Sequence, residues 1–201
     1  MFGSRHIAPL AQEFLEFHPD ITLHLALEDR LVDLIDERID IALRIGHLAD
    51  SSLVARRVGD VRRIAVASPD YLRRHGRPRT PGDLARHHAV TFVNQANPAA
   101  WTFQRKPHGP IKVRVASRIE VNRAEAAIRL ARDGMGLTRV LSYQVARELA
   151  EGSLVRLLRS YELAPLPVQL VYPSARLLAP RVRAFLDFAA ARIPQMAFNR
   201  L

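Results

Sequence analysis

The 201-residue chain has no cysteine. That absence excludes disulfides, a thiol nucleophile and every thiolate metal site, and it leaves the redox compartment open, because a periplasmic protein can lack the residue too. No run of about 18 apolar residues is present to span a membrane. The first residues, where Arg5 and His6 lead straight into an amphipathic pattern, lack the apolar block of an export signal. The expectation is a cytoplasmic protein without a membrane partner. Enzyme signatures are missing as well: there is no G-x-S-x-G elbow, no H-E-x-x-H, no Walker loop and no G-x-G-x-x-G. Lysine is scarce, Lys106 and Lys112 being the only two, so arginine carries the cationic charge.

What is present is a hydrophobic fraction of 48%, enough to build a sizeable core as one large domain or two small lobes. The net charge of +10 invites a nucleic-acid reading, since clustered cations release counterions from a phosphate backbone. Its distribution argues otherwise. Residues 1–50 hold ten acids and four arginines, and residues 51–201 hold ten acids against 26 Lys plus Arg. Within the basic part the cations come as scattered pairs, Arg56-Arg57, Arg62-Arg63 and Arg73-Arg74, without interleaved aromatics for base stacking. A solvated arginine-rich surface is the plainer account, and an anionic small molecule is the other partner that such an excess favours.

Ile7, Leu10, Phe14 and Phe17 recur at three- and four-residue steps, which predicts a helix over 5–17 that Pro19 stops. Ile21, Leu23, Leu25 and Leu27 alternate as in a strand, Leu31, Leu34 and Ile35 return to helical spacing, and Asp40 to Gly46 reads as another strand. Strands at 53–58 and 62–67 flank an expected Gly59-Asp60 turn. Ser68-Pro69-Asp70 and Thr80-Pro81-Gly82-Asp83 each open a short helix, the first closed by Gly76. Strands near 89–93, 101–104, 111–117, 137–140 and 168–172 and helices at 123–133, 142–150 and 180–192 complete the pattern. The alternation predicts a mostly parallel sheet covered by helices.

Few groups in this pattern look assembled for catalysis. Gly134-Met135-Gly136 follows a helix and precedes a strand, the reverse of a dinucleotide-binding turn, and reads as a helix cap. The eight histidines are dispersed, and His87-His88 point to opposite faces of a strand, so no metal and no cofactor is expected. Asp33, Asp36, Glu37 and Asp40 fall on the polar side of an amphipathic helix. Trp101 and Phe103 share a strand face and read as core anchors. In an open α/β sheet ligands meet the carboxyl ends of parallel strands, which points to Ile45-Gly46-His47, the segment after Val93, Val121-Asn122 and Leu137-Thr138-Arg139.

Several stretches together resemble the effector-binding domain of LysR-type transcriptional regulators. They include His6-Ile-Ala-Pro-Leu10 with Phe14 and His18-Pro-Asp20, Val32-Asp-Leu-Ile35 and Asp40-Ile-Ala-Leu-Arg-Ile-Gly46. The match continues through Asp50-Ser-Ser-Leu-Val-Ala-Arg-Arg57, Val66-Ala-Ser-Pro-Asp-Tyr-Leu72, Thr80-Pro-Gly-Asp-Leu84, Trp101-Thr-Phe103 and Gly152-Ser-Leu-Val155 to Val171-Tyr-Pro173. The resemblance covers nearly the whole chain. It implies a type II periplasmic-binding-protein-like fold: two Rossmann-like lobes joined by two crossover strands, lobe I at 1–66 and 171–201 and lobe II at 67–170. It also implies a small-molecule effector, often an organic anion, held between the lobes by Ser4, Ile45, Gly46, Asn94, Asn122, Thr138 and Arg139, with Arg139 the partner for a carboxylate. The function it implies is non-enzymatic: allosteric control, by a dimer or by a tetramer in the full-length regulator, of promoter DNA binding through a winged helix-turn-helix. The helix at 5–17 resembles the element that pairs subunits. The family pattern places the DNA reader and a first sheet strand ahead of Phe2-Gly3, where this sequence has Met1, so a truncated form is expected. A free-standing solute-binding protein of a transporter would share the fold and is the alternative reading.

Overall fold

Leu10, Ala11 and Phe14, spaced at three- and four-residue steps, are the buried face of helix α1 (Ala8–Phe17) in the computed structural model of the chain. The structure describes residues 1–28, 30, 32–48, 53–92, 99–173 and 178–200, the last without its side chain. A wider helical turn, Gly3–Ile7, leads into α1, and Pro9, which has no N–H to give the carbonyls of that turn, follows it directly. The Phe14 ring meets Phe185 and Phe188 edge-on, with centroids 5.1 and 5.3 Å apart, which seats α1 on the C-terminal helix α5 (Pro180–Arg192). Arg192 closes the same contact by donating to Glu13 at 2.6 Å.

The chain divides into two compact units, Met1–Val61 with Leu166–Arg200, and Arg62–Pro165. The first contains a three-stranded antiparallel sheet of β1 (Ala42–Ile45), β2 (Val54–Val61) and β10 (Leu166–Tyr172) in the order β1-β10-β2. The second is built on β3 (Arg63–Ala67), β4 (His88–Phe92), β7 (Ala116–Val121), β8 (Thr138–Leu141) and β9 (Val155–Leu157), with a hairpin of β5 (Ala100–Arg105) and β6 (Gly109–Arg114). Strand β3 pairs antiparallel with β8 and β9, β4 pairs parallel with β7, and a parallel bridge Ala89↔Leu137 joins β4 to β8. The resulting order is β7-β4-β8-β3-β9. That bridge needs a glycine, because a Cβ on Gly136 would lie 2.6 Å from the His88 carbonyl oxygen.

Alternation decides what each face of this sheet touches. Ala65, Ala67, Leu137 and Leu157 join Trp101 and Phe103 of the hairpin in one apolar cluster with Tyr71 of helix α2 (Pro69–His75). Helix α3 (Ala124–Arg132) lies along β3, β4, β7 and β8, contributes nothing to that cluster and covers the other face. Its end is a Schellman cap: Gly134, at φ +80°, lets Met135 N–H reach the Leu130 carbonyl at 3.0 Å. Ser68 caps α2 by accepting from Tyr71 N–H, and Asp83 accepts from Arg79 and Thr80 N–H, each at 2.8 Å, to start the 3-10 turn Pro81–Arg86.

Several expectations change. Residues 21–28 form no strand, although their alternation is intact: a strand needs a ladder partner for its main chain, and no described strand lies against this stretch. Residues 34–38 form a single turn in place of a helix: the Asp33 carboxylate caps its start by accepting from Ile35 and Asp36 N–H, and Arg38, left-handed at φ +54°, ends it by bringing the Ile39 N–H onto the Leu34 carbonyl. Gly59-Asp60 is not a turn: β2 runs through it with a bulge against Val168/Gln169, and Asn199 Oδ1 accepts from Asp60 N–H at 2.9 Å. The expected strand at 111–117 is two strands broken at Val115: its N–H carries the β5–β6 ladder one step further, to the Ala99 carbonyl, and from Ala116 the chain pairs with β4 instead. The sheets are mixed, with antiparallel ladders in the majority. The chain passes between the units at 61–62 and 165–166, about five residues before the expected 66–67 and 170–171, because all of β3 pairs inside the second unit and all of β10 inside the first.

Candidate functional site

Arginine at position 139 is placed by two neighbours. The register Ala65↔Arg139 and Arg63↔Leu141 puts Arg139 on the face of β8 that carries the apolar cluster. There its guanidinium lies over the rings of Trp101 and Phe103, 5.7 and 6.0 Å from their centroids, and Nη1 donates to the Thr102 carbonyl at 3.1 Å. Only 9% of the residue is exposed. Its Nε is buried and has no hydrogen-bond partner. Burial, and second the charge of Arg63, push the group down to about 10, still protonated at neutral pH.

The other expected contacts fall in different surroundings. Thr138 is the residue before Arg139 on the strand, so it faces the opposite side of the sheet, and its hydroxyl donates to the Val90 carbonyl at 2.9 Å. Thr138 and Arg139 therefore do not share a wall, and the Thr138 donor is already used. Asn122 is exposed at the carboxyl end of β7, just ahead of α3. Asn94 lies outside the described residues. In the first unit Ile45 ends β1 opposite Val168 and is half-buried, while Gly46 continues the pairing with N–H to the Pro167 carbonyl and carbonyl to Gln169 Nε2, both at 2.9 Å. The φ of +124° at Gly46 is one that a side chain would strain. Ser4 is exposed in the turn before α1. Ile45 with Gly46 in the first unit and Arg139 in the second are the expected residues that the fold fixes firmly.

Sequence reasoning passed over Arg63. Its place on β3, two residues before Ala65, sets it diagonally beside Arg139 on the same face. Burial alone lowers its pKa. The signal was available: once 62–67 is read as a strand, alternation separates Arg63 from Arg62. It also passed over a second polar cluster beside the core. The Tyr71 hydroxyl accepts from His88 N–H at 2.9 Å and lies 3.3 Å from His87 Nδ1, with the His75 ring stacked on Tyr71 at 4.5 Å. Burial first, and then His75, lower the His87 pKa, against an opposing pull from Asp83. Among the described residues no three His, Cys, Asp or Glu side chains come together as metal ligands, and no helix is long and apolar enough to cross a membrane.

Two α/β units, the first discontinuous and completed by β10 returning from the other end of the sequence, the second a single stretch inserted into it, define a type II periplasmic-binding-protein-like domain. The sequence profile described as LysR substrate binding domain matches residues 1–194, and the chain belongs to that family. It is 37% identical over 186 residues to the HTH-type transcriptional regulator PtxR of Pseudomonas aeruginosa, covering 92% of this chain and 59% of PtxR. The regulatory domain of CrgA from Neisseria meningitidis, a LysR-type transcriptional regulator, is 32% identical with a TM-score of 0.80, covering 96% of this chain and 94% of that domain. Full-length AphB of Vibrio cholerae superposes with a TM-score of 0.82 at 26% identity, over 94% of this chain and 64% of AphB. The chain spans about 60% of the length of the curated relatives that it matches. It is an effector-binding regulatory domain of the LysR type.

Proposed function

We propose that this domain senses a small organic anion and binds it without chemical turnover. The regulator that carries it is cytoplasmic. In that regulator the effector biases a dimer or tetramer, paired through α1, between two states that present winged helix-turn-helix domains differently to promoter DNA. The observation that carries the anionic reading is the charge of the second unit. Residues Arg62–Pro165 hold 19 Lys and Arg against eight Asp and Glu, a net +11, and within them lies Arg139 with its buried, unpartnered Nε. Within the second unit, Arg139 and Asn122 are the proposed contacts. Thr138 drops out because its donor is committed. The reported relatives are transcriptional regulators, which favours this reading over a transporter's solute-binding protein.

The test is a thermal-shift screen of organic acids, each beside its neutral amide or alcohol counterpart, at fixed ionic strength. At least one acid is expected to raise the melting temperature saturably while its neutral partner does not. Stabilisation by neutral compounds only overturns the anionic reading, and a panel that stabilises nothing counts against effector binding by this chain.

A further inference from the structure

Arginine does not shed its proton in proteins, so a buried guanidinium stays charged and needs an anion or a set of acceptors around it. This chain contains a worked example. Arg156 points its Nε and Nη2 at the two carboxylate oxygens of Glu162, at 2.7 and 2.6 Å, the fork that matches two oxyanion oxygens. Arg139 has the same edge unfilled: Nη1 is spent on the Thr102 carbonyl, and the buried Nε has no hydrogen-bond partner. Beside it on the same face stands Arg63, and among the described residues neither has a carboxylate partner. The two charges repel, and each lowers its cost when an anion arrives.

We propose that Arg63 and Arg139 together form a binding site for a dianionic oxyanion, one charge for each guanidinium, supported on the rings of Trp101 and Phe103. Diagonal same-face neighbours on adjacent strands stand roughly 7–8 Å apart, so two long side chains can converge on one ligand. A phosphate group and the two ends of a short dicarboxylate share this chemistry. The ring platform blocks one side of the Arg139 guanidinium and leaves recognition to its free edge. The inference deepens the effector reading and rests on it for the meaning of the ligand, though the site stands or falls by its own titrations.

Those titrations use the whole chain with inorganic phosphate, succinate and acetate, at ionic strength held constant with chloride, read by calorimetry and by the arginine Nε–H signals in proton–nitrogen correlation spectra. Phosphate or succinate is expected to bind saturably and at least tenfold more tightly than acetate, and which of the two binds more tightly identifies the source chemistry. Two arginine Nε–H signals should move together with that binding. Arg63→Gln and Arg139→Gln should each lose tenfold or more in affinity, and the double variant little beyond either single one, because the two groups act on one ligand. Arg63→Lys, which keeps the charge and is the more conservative change, should retain part of the affinity. Affinity unchanged in Arg63→Gln would falsify the pair, as would the absence of any saturable shift of arginine signals with either dianion. An organic acid from the screen that binds wild type and Arg63→Gln equally overturns the pair and leaves the effector reading standing. Phosphate binding by the pair in a chain that no organic acid stabilises does the reverse.

Discussion

The Tyr71 hydroxyl shows how one residue sets a pH dependence. It already accepts the His88 N–H, so its own proton is left for His87 Nδ1, an arrangement that requires a neutral imidazole. The folded-state pKa of His87 lies below its ordinary value, so the unfolded chain binds the proton first as pH falls. The stability from this contact is complete above about pH 6.5, the unfolded value, and is lost as pH drops through the folded one. Melting temperatures between pH 5 and 8 should fall on the acid side, and His87→Phe should flatten that slope; an equal slope in the variant sinks the assignment. Gly136 supplies a second residue-scale expectation. With a Cβ 2.6 Å from the His88 carbonyl, Gly136→Ala must part β4 from β8, at a cost of about 1–3 kcal/mol measured by denaturant unfolding. Of the two glycine roles in Gly134-Met135-Gly136, only the capping one follows a local rule and was legible in the sequence. The close approach at Gly136 depends on a strand 48 residues away in sequence, as does the pairing of Arg139 with Arg63 across 76.

At the scale of elements, punctuation was the most legible feature. Ser68-Pro69-Asp70 with Gly76, and Thr80-Pro81 with Asp83, fix their turns through hydrogen bonds spanning four residues or fewer, and the structure forms both. Ser68→Ala removes the acceptor for Tyr71 N–H and should cost about 1 kcal/mol, a fall of roughly 2–4 °C in melting temperature for a chain of this size. Ser68→Asp should restore most of it. Strands were legible where a partner exists and misleading where none does. Residues 21–27 alternate as clearly as any strand here, yet alternation assigns side chains to faces and says nothing of which ladder receives the main chain. The same limit explains the parallel sheet that was expected and the mixed sheets that formed, since β3 and β10 pair antiparallel with partners from 72 to 129 residues off.

For the whole molecule, the resemblance gave two lobes and two crossings, and the pairing partners of β3 and β10 moved the crossings by five residues. The second unit is one continuous stretch whose ladders all close within it, whereas β1 and β2 of the first are joined only by β10. A fragment of residues 62–165 is therefore expected to unfold cooperatively with dispersed amide resonances, and a fragment of residues 1–61 to remain unfolded. A cooperative transition in the shorter fragment overturns the role given to β10. That arrangement also dictates a schedule during synthesis. Residues 62–165 can finish first, while residues 1–61 must wait at the ribosome's exit for a strand made more than a hundred codons later. Through that interval their apolar surfaces are held open, and a pause or a premature stop before Leu166 leaves a well-made second half attached to an unfinished first one, a natural target for chaperones and proteases.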